Sequence, residues 1–257
     1  MNILKIKKLK NGKYKITLNN GEILELYDDV ILKNNILYKK EISDELLNDI
    51  NKDNNYYSYY NKALKYLSIK MRSTKELNKY LDKFELSENE KESIVIKLKE
   101  IGLLNDFVFL KAYINDKIHL SNIGPYKIKK ELLDHDIDEN FIDEYLNVID
   151  KDIIREKIKK YIVKKVSSNT KLSEYYLKNK IINDLINLGY DREIIIEELS
   201  MIQFKENKSI LEKEYMKTYK KLSKKYHGTE LNFKIVNKLL QKGFLRQEID
   251  KIMEECL

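Results

Sequence analysis

The chain has 257 residues, with 49 Lys+Arg against 42 Asp+Glu, a formal charge of +7, 42% hydrophobic residues, one Pro, seven Gly and no Trp. That is the length of one or two domains and the composition of a soluble globular protein, and so few breakers favour helices over a β-sandwich with its many tight turns. The longest apolar run, Phe107-Val108-Phe109-Leu110, is too short to span a membrane, the start lacks a signal-peptide stretch, and the single Cys256 excludes an internal disulfide framework and a cysteine-rich zinc site, so a cytoplasmic protein is expected.

Residues 1–55 read differently from the rest. Ile3-Leu4-Lys5-Ile6 alternates loosely, Tyr14-Lys15-Ile16-Thr17-Leu18 strictly, and Ile23-Leu24-Glu25-Leu26-Tyr27 follows. Turn signals at Asn11-Gly12 and Asn19-Asn20-Gly21 make this a predicted three-stranded antiparallel meander. Three strands alone are marginal, so the sheet must pack on something. Residues 28–51 read as two short helices, the second opening at Ser43-Asp44-Glu45, and the polar residues 51–55 as a linker.

Further along, Ser73 with Glu76 and Ser87 with Glu90 match the capping box at a helix start. Arg72 stands beside the first of these, where a cation is mildly unfavourable; a surface contact and a structural role are both open for it. Gly102-Leu103-Leu104-Asn105-Asp106 ends one helix and is expected to cap the next with Asp106. The only Pro, Pro125, opens another.

From residue 56 onward the pattern repeats. Leu77, Ile128, Ile181 and Ile235 line up, followed four residues later by Leu81, Leu132, Leu185 and Leu239, then five later by Leu86, Ile137, Tyr190 and Phe244. Gly189 and Gly243 precede the last two of these, where a left-handed helix end suits Gly; Glu85 and Asp136 hold that slot in the first two copies. A helical pattern lies before and after each anchor. The predicted fold is therefore mainly α: three-helix units at 56–104, 105–150, 151–204 and 205–257, stacked into an elongated, curved array behind the small β-meander of 1–55.

Charge is unevenly spread. The first 15 residues hold six Lys and no acid, residues 151–180 ten basic and three acidic residues, residues 205–225 eight and three, and residues 127–150 three and eight. Only Arg72, Arg155, Arg192 and Arg246 are Arg, which weakens a case for sequence-specific base reading. No phosphate-binding Gly loop and no nucleophile elbow occur. His119, His135 and His227 lie in different copies or far apart, with His135 at a helix end that suits a cation, and Cys256 lacks a nucleophile's context. The residues point to a protein without catalysis, cofactor or metal.

The run A-L-x-Y-L-S-x-K-x-R-S-x-x-E-L from Ala63, then G-L-L-N-D-x-x-F-x-x-A-Y from Gly102, then G-P-Y-K-I-x-x-E-L from Gly124, resembles the bacterial regulatory RecX family. The motifs cover residues 63–132 and the repeat extends the likeness to the C-terminus. The β-rich leader resembles the N-terminal extension of the longer members from low-GC Gram-positive bacteria. The resemblance implies a monomeric helical-repeat protein that lies in the groove of the RecA filament on single-stranded DNA. It would limit filament growth, strand exchange, ATP hydrolysis and SOS co-protease activity, as part of DNA repair and homologous recombination.

The residues expected to meet RecA or DNA are Lys70, Arg72, Lys75 and Lys79, then Lys127 and Lys130, then Lys157, Lys160 and Lys164, and Lys217, Lys221 and Lys224, the last six chosen as helix-spaced lysines sharing a face. A stand-alone basic nucleic-acid-binding protein is the alternative, with Tyr161, Tyr175, Tyr176, Tyr215 and Tyr219 available for base stacking. A passive helical scaffold is a third class.

Overall fold

In the computed structural model, residues 1–10, 12–204 and 207–255 are described, and the chain divides into two units, Met1–Leu110 and Lys111–Leu257. The N-terminal alternation builds an antiparallel sheet of β1 (Ile3–Lys8), β2 (Lys13–Leu18) and β3 (Ile23–Tyr27), in that order. Ile16 pairs with Ile6 on one side and Leu24 on the other, and Ile16, Leu18, Leu24 and Leu26 form a buried face. The register shifts between Ile3 and Lys5, so that Ile3 and Ile6 both pack on this core. A regular strand would point residues three apart to opposite faces; the bulge at Leu4 removes the conflict. Gly12 and Gly21 take positive φ in the two turns, while Asn11 lies outside the described residues.

The sheet rests on α1 (Asp28–Lys33), a 3-10 turn (Ile36–Tyr38) and the start of α2 (Asp44–Ile69), through Val30, Ile31, Ile36 and Ile50. The expected linker at 51–55 does not exist: those residues lie inside α2, a continuous helix of 26 residues. Their polarity serves a different end. Asp53 accepts from Lys33 (2.7 Å) and Asn34 (3.0 Å), and Asn54 accepts from the Tyr27 amide (3.1 Å) and donates to the Glu25 carbonyl (3.1 Å). One turn of polar side chains thus ties the sheet edge to the helix.

The rest of the first unit contains α3 (Thr74–Leu81), α4 (Glu88–Glu100) and residues 106–110 of α5 (Asp106–Leu120). Both predicted capping boxes are formed, at Ser73–Glu76 and Ser87–Glu90. Asp106 is not the cap expected of it. The Asn105 side chain accepts from the amides of Phe107 (3.0 Å) and Val108 (3.1 Å) and caps α5. The Asp106 carboxylate turns away to take the amide (2.7 Å) and hydroxyl (2.6 Å) of Thr74 at the start of α3. Ala63, Leu77, Leu81, Ile94, Leu98 and Leu104 fill the core beneath.

The second unit continues with α6 (Pro125–Leu133), α7 (Glu139–Asn147), α8 (Lys151–Ser167), α9 (Glu174–Asn187), α10 (Arg192–Ser200), α11 (Asn207–Leu222), α12 (Gly228–Leu240) and α13 (Arg246–Glu255). The aligned anchors Ile128, Leu132, Ile181, Leu185, Ile235 and Leu239 are all fully buried. Helices α6, α9 and α12 end alike: the amides of Ile137, Tyr190 and Phe244 reach back to the carbonyls of Leu132, Leu185 and Leu239, five residues earlier. Asp136, Gly189 and Gly243 supply the positive φ that this closure needs. Asp136 pays the steric cost of a Cβ there, whereas Glu85 in the first copy does not adopt the conformation, and the Leu86 amide bonds to Phe84 instead.

These helix ends are also joints. The amide of Gly124, at the start of α6, donates to the Leu188 carbonyl (2.6 Å), and that of Tyr126 to Gly189 (3.0 Å). At the start of α9, the Ser173 amide donates to the Lys242 carbonyl (3.1 Å). In each case the unpaired donors of one helix N-terminus meet the unpaired acceptors of another helix's C-terminus, which brings the opposite ends of two helix dipoles together. There is no room for a Cβ. One on Gly189 would lie 2.5 Å from the Lys127 nitrogen, one on Gly243 2.5 Å from the Tyr176 Cβ, and one on Gly124 would overlap the Gly189 carbonyl.

Candidate nucleic-acid and partner interface

The first group of expected contact residues surrounds the start of α3. Arg72 is largely committed to the protein itself. Its guanidinium lies 4.3 Å over the Tyr66 ring, which stacks on Tyr80 (4.1 Å, 2°). Nη1 of Arg72 pairs with Glu76 at 3.1 Å, its Nε is buried with no hydrogen-bond partner among the described residues, and only 16% of the side chain is exposed. Burial alone would push the Glu76 carboxyl up, but the Ser73 amide, Arg72 and Lys70 together hold it below its ordinary value. Lys70 stands 3.7 Å from Glu76 and is exposed, as are Lys75 and Lys79, one turn apart on α3.

On α6, Lys127 and Lys130 are exposed. Lys129 between them pairs with Glu139 (2.8 Å) and Asp143 (2.7 Å) of α7, so the acid-rich character of this copy neutralises part of its basic spot.

On α8 the structure separates three lysines that helical spacing had grouped. Lys160 and Lys164 are exposed one turn apart. Lys157 instead points inward and donates to the Ser121 carbonyl at 2.7 Å, and burial pushes its pKa down. Two more cations of α8 are bound to α9 and α10. Arg155 pairs with Glu197 (2.6 Å) and with the buried Glu198 (3.0 Å), and Lys165 with Asp184 (3.5 Å), which also accepts from the Tyr161 hydroxyl (3.0 Å).

The fourth group is brought together. Lys217 and Lys221 on α11 and Lys224 just beyond it are exposed, and Lys213, Lys220 and Lys225 accompany them. Steps of three and four place Lys213, Lys217, Lys220 and Lys221 along one side of α11, and Lys224 and Lys225 follow in the turn after it. Among the described residues none of these six has a carboxylate within ion-pair distance. Met216 and Tyr219 are exposed beside them, at 58% and 41%, while Leu211 and Tyr215 are buried on the opposite side. The buried Glu214 is paired with Lys242, so it does not offset the lysine face. Of the tyrosines considered for stacking, Tyr215 is core, Tyr161 is tied to Asp184, and Tyr175 and Tyr176 are exposed. Lys205 and Cys256 lie outside the described residues.

Sequence reasoning missed the tethering roles of Arg155 and Lys157 and the main-chain joints. A signal existed for Arg155: one of four Arg in a lysine-rich chain, a residue type suited to bridging two carboxylates. None existed for Lys157, whose partner is a main-chain carbonyl 36 residues away. Among the described residues no helix is long and apolar enough to cross a membrane, and no group of three or more His, Cys, Asp or Glu is arranged to hold a metal ion.

Residues 60–98 match the family model described as RecX, first three-helix domain. The chain is 32% identical to "Regulatory protein RecX" of Streptococcus pneumoniae (strain Hungary19A-6), the alignment covering 99% of this chain and all of that one. It is 31% identical to the protein of the same name from Streptococcus agalactiae serotype III (strain NEM316), with both chains covered in full. A crystal structure of regulatory protein RecX matches 76% of this chain and 98% of its own with a TM-score of 0.66 at 24% identity, a likeness of fold. The crystal structure of RecX from Lactobacillus salivarius matches 58% of this chain and 98% of its own, with a TM-score of 0.54 at 29% identity.

Proposed function

The chain belongs to the RecX family of regulatory proteins, and from that premise we propose that it is a negative modulator of the RecA recombinase, acting in the cytoplasm as a monomer without catalysis or cofactor of its own. The observation that carries this reading is the end-to-end similarity to proteins named as RecX regulators. We take helices α2–α4, α5–α7, α8–α10 and α11–α13 as the four repeats at 56–104, 105–150, 151–204 and 205–257. The protein lies in the groove of the RecA filament on single-stranded DNA and limits filament growth, strand exchange, ATP hydrolysis and SOS co-protease activity.

Contact is led by the lysine face of α11, through Lys217, Lys221 and Lys224, because among the described residues those cations have no carboxylate of their own to leave. Lys160 and Lys164 on α8, the exposed Lys70, Lys75 and Lys79, and Lys127 and Lys130 add smaller contributions that sum along a filament. The test is ATP hydrolysis by the cognate RecA on single-stranded DNA, titrated with this protein. Inhibition well below one copy per RecA subunit is the expected result. No inhibition, together with salt-sensitive binding to bare DNA, would favour the stand-alone nucleic-acid-binding reading, for which the exposed Tyr175, Tyr176 and Tyr219 are the specific support.

A further inference from the structure

The two faces of the N-terminal sheet differ in kind. One is the apolar core face of Ile16, Leu18, Leu24 and Leu26. The other is set by register. Lys5 lies opposite Thr17, which lies opposite Ile23; Lys7 lies opposite Lys15, which lies opposite Glu25; and Lys13 lies opposite Tyr27. Since side chains alternate along each strand, these residues share the outer face. Four lysines therefore stand on β1 and β2, beside one carboxylate, Glu25 of β3. The bulge at Leu4 is part of the arrangement. By keeping both Ile3 and Ile6 on the core, it turns Lys5 and Lys7 outward.

The face is open, and most of its charge is uncommitted. Lys5 and Lys7 are exposed, as are Ile23 and Glu25 on the opposite edge, and Lys15 on the central strand is half-buried only by its neighbours. Among the described residues no carboxylate lies within ion-pair distance of Lys5, Lys7 or Lys15. The Lys13 ammonium sits 4.3 Å over the Tyr27 ring, which fixes a cation and an aromatic side chain together at one end of the face.

We propose that this outer sheet face binds the phosphate backbone of single-stranded nucleic acid, as a site separate from the helical lysine faces. Two features select nucleic acid over an acidic protein surface. The cations are all lysine, a point charge suited to phosphate. The centre of the face is Lys15 and Thr17, with none of the Trp or Arg anchors that concentrate binding energy between proteins. A row of flexible cations without base-reading side chains is the pattern of a sequence-tolerant backbone binder. The site does not depend on the regulatory reading.

The experiment uses the full chain and a fluorescein-labelled oligothymidylate, with affinity measured by anisotropy across a range of salt. The variant Lys5→Gln/Lys7→Gln/Lys15→Gln should keep the wild-type circular dichroism spectrum and melting temperature. It should lose about tenfold or more in affinity at low salt, and its log–log salt slope should flatten by about 2. A parallel Lys217→Gln/Lys221→Gln/Lys224→Gln variant reports on α11 alone. Unchanged affinity and slope in the sheet variant would overturn the proposal, as would a loss confined to the α11 variant. Intact oligonucleotide binding with weakened action on RecA would also overturn it, by showing that the face meets protein. RecA inhibition by the wild-type chain is scored separately, so failure of the regulatory reading leaves this result interpretable.

Discussion

Helices α8 and α11 follow the same pattern in sequence and do different work in the fold. Both precede an aligned anchor helix and both are rich in lysine. In α8, Arg155, Lys157 and Lys165 are drawn into contacts with Glu197, Glu198, the Ser121 carbonyl and Asp184. In α11, Lys217 and Lys221 face solvent, and Lys224 does so just past its end. The difference lies in what each helix packs against. Neighbours of α8 present carboxylates and an open carbonyl, whereas around α11 Glu255 pairs with Lys208 near the helix start and the buried Glu214 is satisfied by Lys242. A count of basic residues therefore measures available charge poorly; subtracting the cations that the fold itself consumes measures it better.

The largest expected effect is on the α11 side of this comparison. Reversing Lys217, Lys221 and Lys224 to Glu should raise the concentration needed to inhibit RecA ATP hydrolysis by about a hundredfold, through lost attraction and added repulsion. Stability should stay within about 0.5 kcal/mol, as is usual for exposed sites. An equal loss of inhibition from Lys160→Glu/Lys164→Glu would erase the distinction between the helices.

On the α8 side the effect should fall on stability instead. Arg155→Met leaves the buried Glu198 without its cation, and urea denaturation should register a lower midpoint than for the wild type. Lys157→Met removes the donor from the Ser121 carbonyl and should cost about 1 kcal/mol by the same measurement.

The smallest effect is a sign. Burial lowers the Lys157 pKa below the ordinary 10.5, so the folded chain releases this proton first and stability rises with pH between the lowered value and 10.5. Lys165 has the opposite slope. The Tyr161 hydroxyl, and to a smaller extent Asp184, raise its pKa, so its contribution is full below 10.5 and is lost as pH climbs through the raised value. Subtracting the stability–pH curve of Lys157→Met from that of the wild type should leave an upward alkaline limb. A flat difference would show that Lys157 is not desolvated.

The readable parts of this molecule are those governed by local periodicity. The meander, the capping boxes and the buried anchors follow from alternation, from S-x-x-E and from steps of three and four. The misread parts share a cause: polar side chains whose partners are distant in sequence. Residues 51–55 look like a linker because Asp53 and Asn54 are polar, and nothing local reveals that Lys33, Asn34, Glu25 and Tyr27 await them. Asp106 looks like a cap because it stands at a helix start, yet Thr74, 32 residues earlier, takes its carboxylate. Among the candidate site residues, exposure of Lys217, Lys221 and Lys224 followed from the helical stripe, whereas the inward turn of Lys157 did not.

The joints at Gly124–Gly189 and Ser173–Gly243 give the second unit a polarity. Each join has a plug, the bare amides of a helix start, and a socket, the bare carbonyls behind a left-handed residue. Both are made of main chain, so the side chains around them can change in evolution without spoiling the fit, provided no bulk enters the contact. At the start of α12 the described residues show no such join: a Cβ on Gly228 would have open space around it, and His227 before it is exposed and makes no side-chain cap bond. A fold assembled from such couplings grows by duplicating whole units, and its length is set by how many copies have been strung together rather than by the capacity of a single core.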